Sequence, residues 1–293
     1  MNGPEISWLP DKHRLHFNHG PIDLIVEAFG ETGEVRAAYE QAAERFQTIL
    51  DELVEELAQL RRPASSRPRD FDGPTARRME AAVAPLAGQF ITPMAAVAGS
   101  VADEMMAAMI AGRSIERAYV NNGGDIALHI ARGQEFSVAI AGTGHGLADR
   151  LTIHWQDAVR GIATSGWRGR SFSLGIADAV TVLAVNAAAA DAAATLIANA
   201  VDLPGHTAIH RRPACDLAPD SDLGDRLVTT DVAPLAPADI EAALDAGFSV
   251  AESLRRQGSI QTAALYLGGR TRISGTHELA VTDGVTRGEP VHA

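Results

Sequence analysis

The sequence predicts an α+β fold built on a mainly antiparallel sheet with packed helices. Strand-like runs and long amphipathic helices are mixed without a strict βαβ rhythm, and several strand runs are joined by short Gly/Asp/Gln-containing connections of hairpin type. No stretch reads as an interdomain linker. The expectation is therefore one domain over residues 1–283 and a loose tail at 284–293.

The elements follow in chain order. Residues 13–30 alternate as strands, with Leu15, Phe17, Ile22, Leu24 and Val26 on one face and a turn at His19-Gly20-Pro21. From Glu34 to Arg62 the period becomes helical, and Val35, Tyr39, Ala42, Phe46, Leu50, Leu53, Leu57 and Leu60 form one apolar stripe that Pro63 ends. Residues 63–72 read as an exposed loop. Residues 75–112 read as helices broken near Pro85–Gly88 and Pro93; the small residues between Met94 and Gly112 predict close packing against another element. Strand runs at 117–130, 135–141, 150–155 and 160–164 look like an antiparallel meander. A strand at 179–185 then feeds a helix at 187–201. After a polar stretch at 211–226 come a strand at 227–232, a helix at 237–257 with Ile240, Ala243, Leu244, Phe248 and Leu254 inward, and strands at 262–267, 271–273 and 278–281.

Composition excludes some functions. Net charge is −12 over 293 residues, against a broad basic face for nucleic acid. No run approaches the ~20 apolar residues of a spanning helix, and Met1–Pro10 lacks a secretory pattern. The expected location is the cytoplasm, with no membrane or nucleic-acid partner and homo-oligomerisation left open. A single cysteine, Cys215, excludes an internal disulfide and any multi-cysteine zinc site.

Three short motifs carry the chemistry. Asn121-Asn122-Gly123-Gly124-Asp125 ends one strand run and begins another; its glycines permit positive φ or close approach to a ligand, and Asp125 caps amides or faces a ligand hydroxyl. The alternative is a turn without a ligand. Thr164-Ser165-Gly166 ends a strand and opens the Gly/Ser/Arg-rich loop 167–175, where amides and hydroxyls suit an anion and Arg168 or Arg170 supplies charge. The alternative is a solvated loop. Asp191 and Thr195, four apart on a helix, share a face and form a partial hard-oxygen shell for Mg²⁺. The alternative is an Asp facing water. His13, His16 and His19 do not share a strand face and read as ordinary histidines. Asp216, Asp220, Asp222 and Asp225 read as an exposed acidic turn.

In this order the motifs resemble the ApbE-like superfamily, whose best-known members are FAD:protein FMN transferases. Those enzymes carry VNAGGDI, ATSG and ADALAT segments; this chain has Val120–Ile126, Ala163–Gly166 and Ala190–Thr195. It is similar above all to an uncharacterised branch of that superfamily, over about Gly20 to Gly269. The resemblance implies a T-fold-like domain and a cleft for a flavin (FAD or FMN) or related nucleotide diphosphate. It also implies Mg²⁺ on Asp191 and Thr195, ligand contacts from Asn121, Gly123, Gly124, Asp125, Thr164, Ser165, Gly166 and Arg168, and orienting or catalytic roles for Asp125 and Asp178. An AKGYAVD-like segment aligns with Ala98–Asp103, so the family lysine is Ala98 here; a HIIDP-like segment aligns with Gly175–Ala179, so the histidine is Gly175 while Asp178 remains. Phosphoester or nucleotidyl transfer with a degenerate site is one expectation. The other is a non-catalytic or sulfur-handling accessory protein with Cys215 as its handle.

Overall fold

The computed structural model describes residues 3–139 and 150–275. In chain order the elements are β1 (Glu5–Trp8), β2 (Leu15–His19), β3 (Ile22–Gly30), α1 (Thr32–Glu55), α2 (Leu57–Leu60), α3 (Pro74–Val83), α4 (Val97–Ile110), β4 (Ile115–Asn122), β5 (Asp125–Ile130), β6 (Glu135–Ala139), β7 (Arg150–His154), β8 (Gly161–Ser165), β9 (Ala179–Ala184), α5 (Ala187–Ala200), β10 (Ile209–Pro213), α6 (Ala214–Leu217), β11 (Leu227–Val232), α7 (Pro237–Arg256), β12 (Thr262–Leu267) and β13 (Arg270–Ser274). Short 3₁₀ turns fill Ala84–Leu86 and Pro93–Ala96, where proline and the small residues interrupt the helical run.

Nine strands form one antiparallel sheet in the order β1-β2-β3-β4-β5-β8-β9-β12-β13. The alternation expected of β2 and β3 is present: Leu15, Phe17, Ile22, Leu24 and Val26 are buried and their neighbours are not. These side chains meet the stripe of α1, where Tyr39, Ala42, Phe46, Leu50 and Leu53 are buried, in a core that also takes in α4. A second core on the same helical layer joins β8, β9 and β12 to α5 and α7, burying Ile240, Ala243, Leu244 and Leu254.

The expected meander is modified. β4 and β5 form a hairpin, but β6 and β7 leave the main sheet as their own two-stranded ribbon, and β8 returns to pair with β5 through Ile126–Ile162 and Ala127–Gly161. The reason lies in the second face of the sheet. Tyr119, Ile126 and Leu128 point away from the helices, and Phe136, Leu151 and Ile153 of the ribbon cover them. β1, β10 and α6 are additional to the expected elements, while the expected strand at 227–232 is β11, which pairs with β10 in a ribbon of its own. The expected strand at 278–281 lies outside the described residues.

Candidate active site at the α4–α5 junction

The site begins with two helices that cap each other. The first turn of a helix leaves amides without intrahelical partners. At the start of α5, Asp103 of α4 accepts from the Ala187 and Ala188 amides at 3.0 and 2.8 Å. At the start of α4, Asp191 of α5 accepts from the Gly99 amide at 3.0 Å. Gly99 makes this approach possible, since a Cβ there would stand 2.3 Å from the Ala187 carbonyl oxygen. The close packing expected of this small-residue helix is thus realised within the chain.

The β4–β5 hairpin brings in the next group. Asn122 pairs with Asp125, leaving Gly123 and Gly124 as a two-residue turn with φ of +66° and +112°. Asn121 Oδ1 accepts from the Gly124 amide at 2.8 Å, and Asn122 Nδ2 donates to the Ala98 carbonyl at 3.1 Å, tying the hairpin to α4. Asp125 then lies beside the end of β8, where its Oδ1 accepts from the Thr164 amide at 3.3 Å. The Thr164 hydroxyl meets that of Thr181 on β9 at 2.9 Å.

Asp125, Asp191 and Thr195 line one cleft of about 490 Å³ together with Gly123, Gly124 and residues 164–166. Two carboxylates therefore face a shared, partly dry space. Burial pushes the Asp125 carboxyl well above its ordinary range, against the opposing pull of the Thr164 amide and the Arg170 charge. Burial raises Asp191 as well, and the charge of Asp125 raises it further; the Gly99 and Ala98 amides oppose this. Such a pair favours either a retained proton or a bound cation. The oxygen donors fit a hard divalent ion such as Mg²⁺, which keeps ligand oxygens and waters to complete its shell. No group of three His, Cys, Asp or Glu side chains suited to a metal occurs among the described residues; the oxygen-bearing side chains that line the cleft are the two carboxylates and the hydroxyls of Thr164, Ser165, Ser171, Thr181 and Thr195.

The structure gathers Gly123, Gly124, Asp125, Thr164, Ser165, Gly166, Asp191 and Thr195 around the cleft, with Asn121 shaping its turn. Arg168 and Asp178 do not line it. Their side chains pair at 2.6 Å, Arg168 lies over the Trp167 ring, and the second Asp178 oxygen accepts from the Gly268 amide at 2.7 Å. They fasten the 166–178 segment to the β12–β13 turn, and Arg170 is the arginine that reaches the cleft. Thr181 and the capping role of Asp103 are additional; a threonine inside the otherwise apolar β9 was the available signal. Cys215 lies on α6, remote in sequence from this cleft. Its thiol donates to Asp225 at 3.3 Å, and the carboxylates of Asp225 and Asp216 push the thiol pKa up, a setting that disfavours the reactive thiolate. Among the histidines, His16 meets Asp23 and His19 packs on Phe46, so they form no ligand set.

A broad antiparallel sheet, one helical layer and an acidic cleft behind a glycine hairpin define an ApbE-like protein. A family model described as AbpE bacteria matches residues 6–273, and the chain belongs to that family. A UPF0280 protein of Methanopyrus kandleri is 38% identical over 110 residues, 37% of this chain and 43% of that protein. A UPF0280 protein of Methanothrix thermoacetophila is 41% identical over 113 residues, 38% of this chain and 46% of that protein. The matches thus span less than half the length of these relatives. Among solved structures, a histidine-to-glycine mutant of the flavin transferase ApbE from Vibrio cholerae shares the fold. Its TM-score is 0.50 at 13% identity, over 89% of this chain and 96% of that one. No described helix is long and apolar enough to cross a membrane.

Proposed function

We propose that the cleft binds a flavin nucleotide or related nucleotide diphosphate together with Mg²⁺, and that its chemistry is phosphoester transfer. The observation that carries this reading is the meeting of Asp125 and Asp191, from different elements, with Thr195 beneath a glycine hairpin. Asp191 and Thr195 would hold the ion and Asp125 would orient it or a ligand hydroxyl. When bound, Mg²⁺ supplies the positive charge that neutralises phosphate oxygens and stabilises charge developing at phosphorus. Gly124 of the hairpin, with nothing within 4 Å of where a Cβ would stand, lets a ligand approach the backbone. The 164–166 strand end lines the cleft beside the hairpin. Asp178, tied to Arg168 and the Gly268 amide, keeps the adjoining segment in place, and so acts as a positioning residue.

A second reading, ligand binding without transfer, is favoured by Gly175. A Cβ there would stand 2.1 Å from the Ala198 carbonyl oxygen and 2.8 Å from that of Val201, so no side chain fits where the resemblance places a histidine. A possible proton carrier is thus absent from that position.

Calorimetric titration of the full chain with FAD, with and without MgCl₂, tests the primary reading. FAD binding should require or be strengthened by Mg²⁺, and Asp191→Asn and Thr195→Val should each remove that dependence. Absence of FAD binding, or binding indifferent to Mg²⁺ and both substitutions, rejects it. If FAD binds with Mg²⁺ but is never cleaved in the presence of acceptor proteins or peptides, the second reading holds.

A further inference from the structure

The 166–178 segment carries two arginines, two residues apart, with different fates. Arg168 is held by Asp178 and stacks on Trp167. Arg170 is exposed, and among the described residues no hydrogen bond or ion pair holds its guanidinium. The guanidinium lies over Gly123, with Nη2 only 1.8 Å from the point a Cβ on that residue would occupy. Any residue other than glycine at 123 would put a side chain where the guanidinium lies, and the φ of +66° there independently suits glycine. Arg170 is also the single cationic side chain among the described residues that line the cleft, and its charge is felt by Asp125 without a direct ion pair.

A guanidinium left unpaired beside two carboxylates presents several N–H donors in a planar fork that matches phosphate oxygens. Ser165 and Ser171 also line the cleft and add two hydroxyls to it. We propose that Arg170, seated on Gly123, is the anion-binding residue of this cleft and that it holds a phosphate group of the ligand. The inference rests on the reading of the cleft as a phosphorylated-ligand site and names the group that recognises the phosphate. It also gives Gly123 a specific task, that of the floor on which the guanidinium lies.

The test uses three probes on the full chain: inorganic pyrophosphate, FAD, and riboflavin, which has the flavin ring and no phosphate. Each is titrated calorimetrically with and without Mg²⁺, and Mg²⁺ is also titrated alone. Loss of a charge-assisted contact predicts that Arg170→Ala weakens pyrophosphate and FAD by about ten- to a hundredfold. Riboflavin affinity should be unchanged, and Mg²⁺ alone should bind as well as before or better. Arg170→Lys should recover part of the loss, since charge returns without the fork. Gly123→Ala should weaken pyrophosphate in the same direction by displacing the guanidinium, and Arg170→Ala should add little to it.

Unchanged pyrophosphate and FAD affinity in Arg170→Ala overturns the inference, as does equal weakening of riboflavin. A wild-type chain that binds none of the phosphorylated probes overturns it too. If pyrophosphate binding needs Arg170 but neither Mg²⁺ nor Asp191 matters, the anion site stands and the metal reading fails. If Gly123→Ala does not fold, the two Arg170 variants decide the outcome.

Discussion

Replacing Asp125 by Asn tests whether the cleft is electrostatically set for a cation. Asn has nearly the same shape and keeps an oxygen for the Thr164 amide, which now lies at 3.3 Å from Oδ1. Only the charge is lost. Burial raises the Asp125 carboxyl from 3.8 to about 7. At about 1.36 kcal/mol for each tenfold change in the proton equilibrium, that would correspond to ~4 kcal/mol. The side chain is only part-buried in the cleft wall, and solvent screening reduces the figure to about 2 kcal/mol. The sign follows from linkage: the folded state holds this proton more tightly than the unfolded chain, so stability is full below about 4 and falls as pH rises through about 7. In metal-free protein at pH 8, Asp125→Asn should therefore be more stable than wild type by about 2 kcal/mol. For a chain of 293 residues that is a melting temperature roughly 3–4 °C higher. Below pH 4 the two should coincide. Added Mg²⁺ should narrow or reverse the order, because an ion at a hundredfold its Kd stabilises the wild type by about 2.7 kcal/mol. Calorimetric melts at pH 3.8, 6 and 8, with chelator and with Mg²⁺, provide the measurement. A variant no more stable than wild type at pH 8 in chelator, or a wild type whose melting ignores Mg²⁺, refutes the reasoning.

Three other outcomes follow from the same structure. Glu104 accepts from Arg45 and Arg78, each at 2.9 Å; although burial pushes its carboxyl up, the two arginines hold it below the ordinary value of 4.5. Its contribution is present above that value and lost as pH falls through the lower folded-state pKa, so Glu104→Gln should cost about 2 kcal/mol at pH 7 in urea unfolding, with the gap closing in acid. Gly99→Ala places a Cβ 2.3 Å from backbone and should destabilise by at least ~1–3 kcal/mol, whereas Gly88→Ala, with nothing within 4 Å, should be nearly neutral; thermal melts of the pair check this. Cys215 should react with iodoacetamide at pH 8 more slowly than free cysteine, and Asp225→Asn should speed it up; a fast wild-type thiol would restore the sulfur-handling reading.

The legible parts of this fold were those with local periodic patterns. The alternation of Leu15 to Val26 and the stripe of α1 each have one apolar face, and burial follows them directly. The departure of β6 and β7 was illegible because a hairpin pattern fixes pairing within the hairpin but not which sheet it joins. That choice is made by apolar groups on β4 and β5, outside the hairpin itself. The same limit applies at the site. The glycine turn and the 164–166 strand end are local and were readable, while the choice between Arg168 and Arg170 depends on Asp178 taking the first and Gly123 making room for the second.

Asp191 shows the most instructive case. A carboxylate inside Ala187–Ala200 must be compensated, which the sequence indicates, but its compensation includes an amide 92 residues earlier in the chain. It caps α4 and also faces the cleft, so loss of binding in Asp191→Ala would not separate a lost ligand from a displaced helix. Asn at 191 retains an acceptor for the Gly99 amide, and Asp125 and Thr195 have no part in capping α4. A metal-dependent effect common to Asp125→Asn, Asp191→Asn and Thr195→Val, with α4 intact, is therefore what distinguishes a cation site from a helix junction that happens to be acidic.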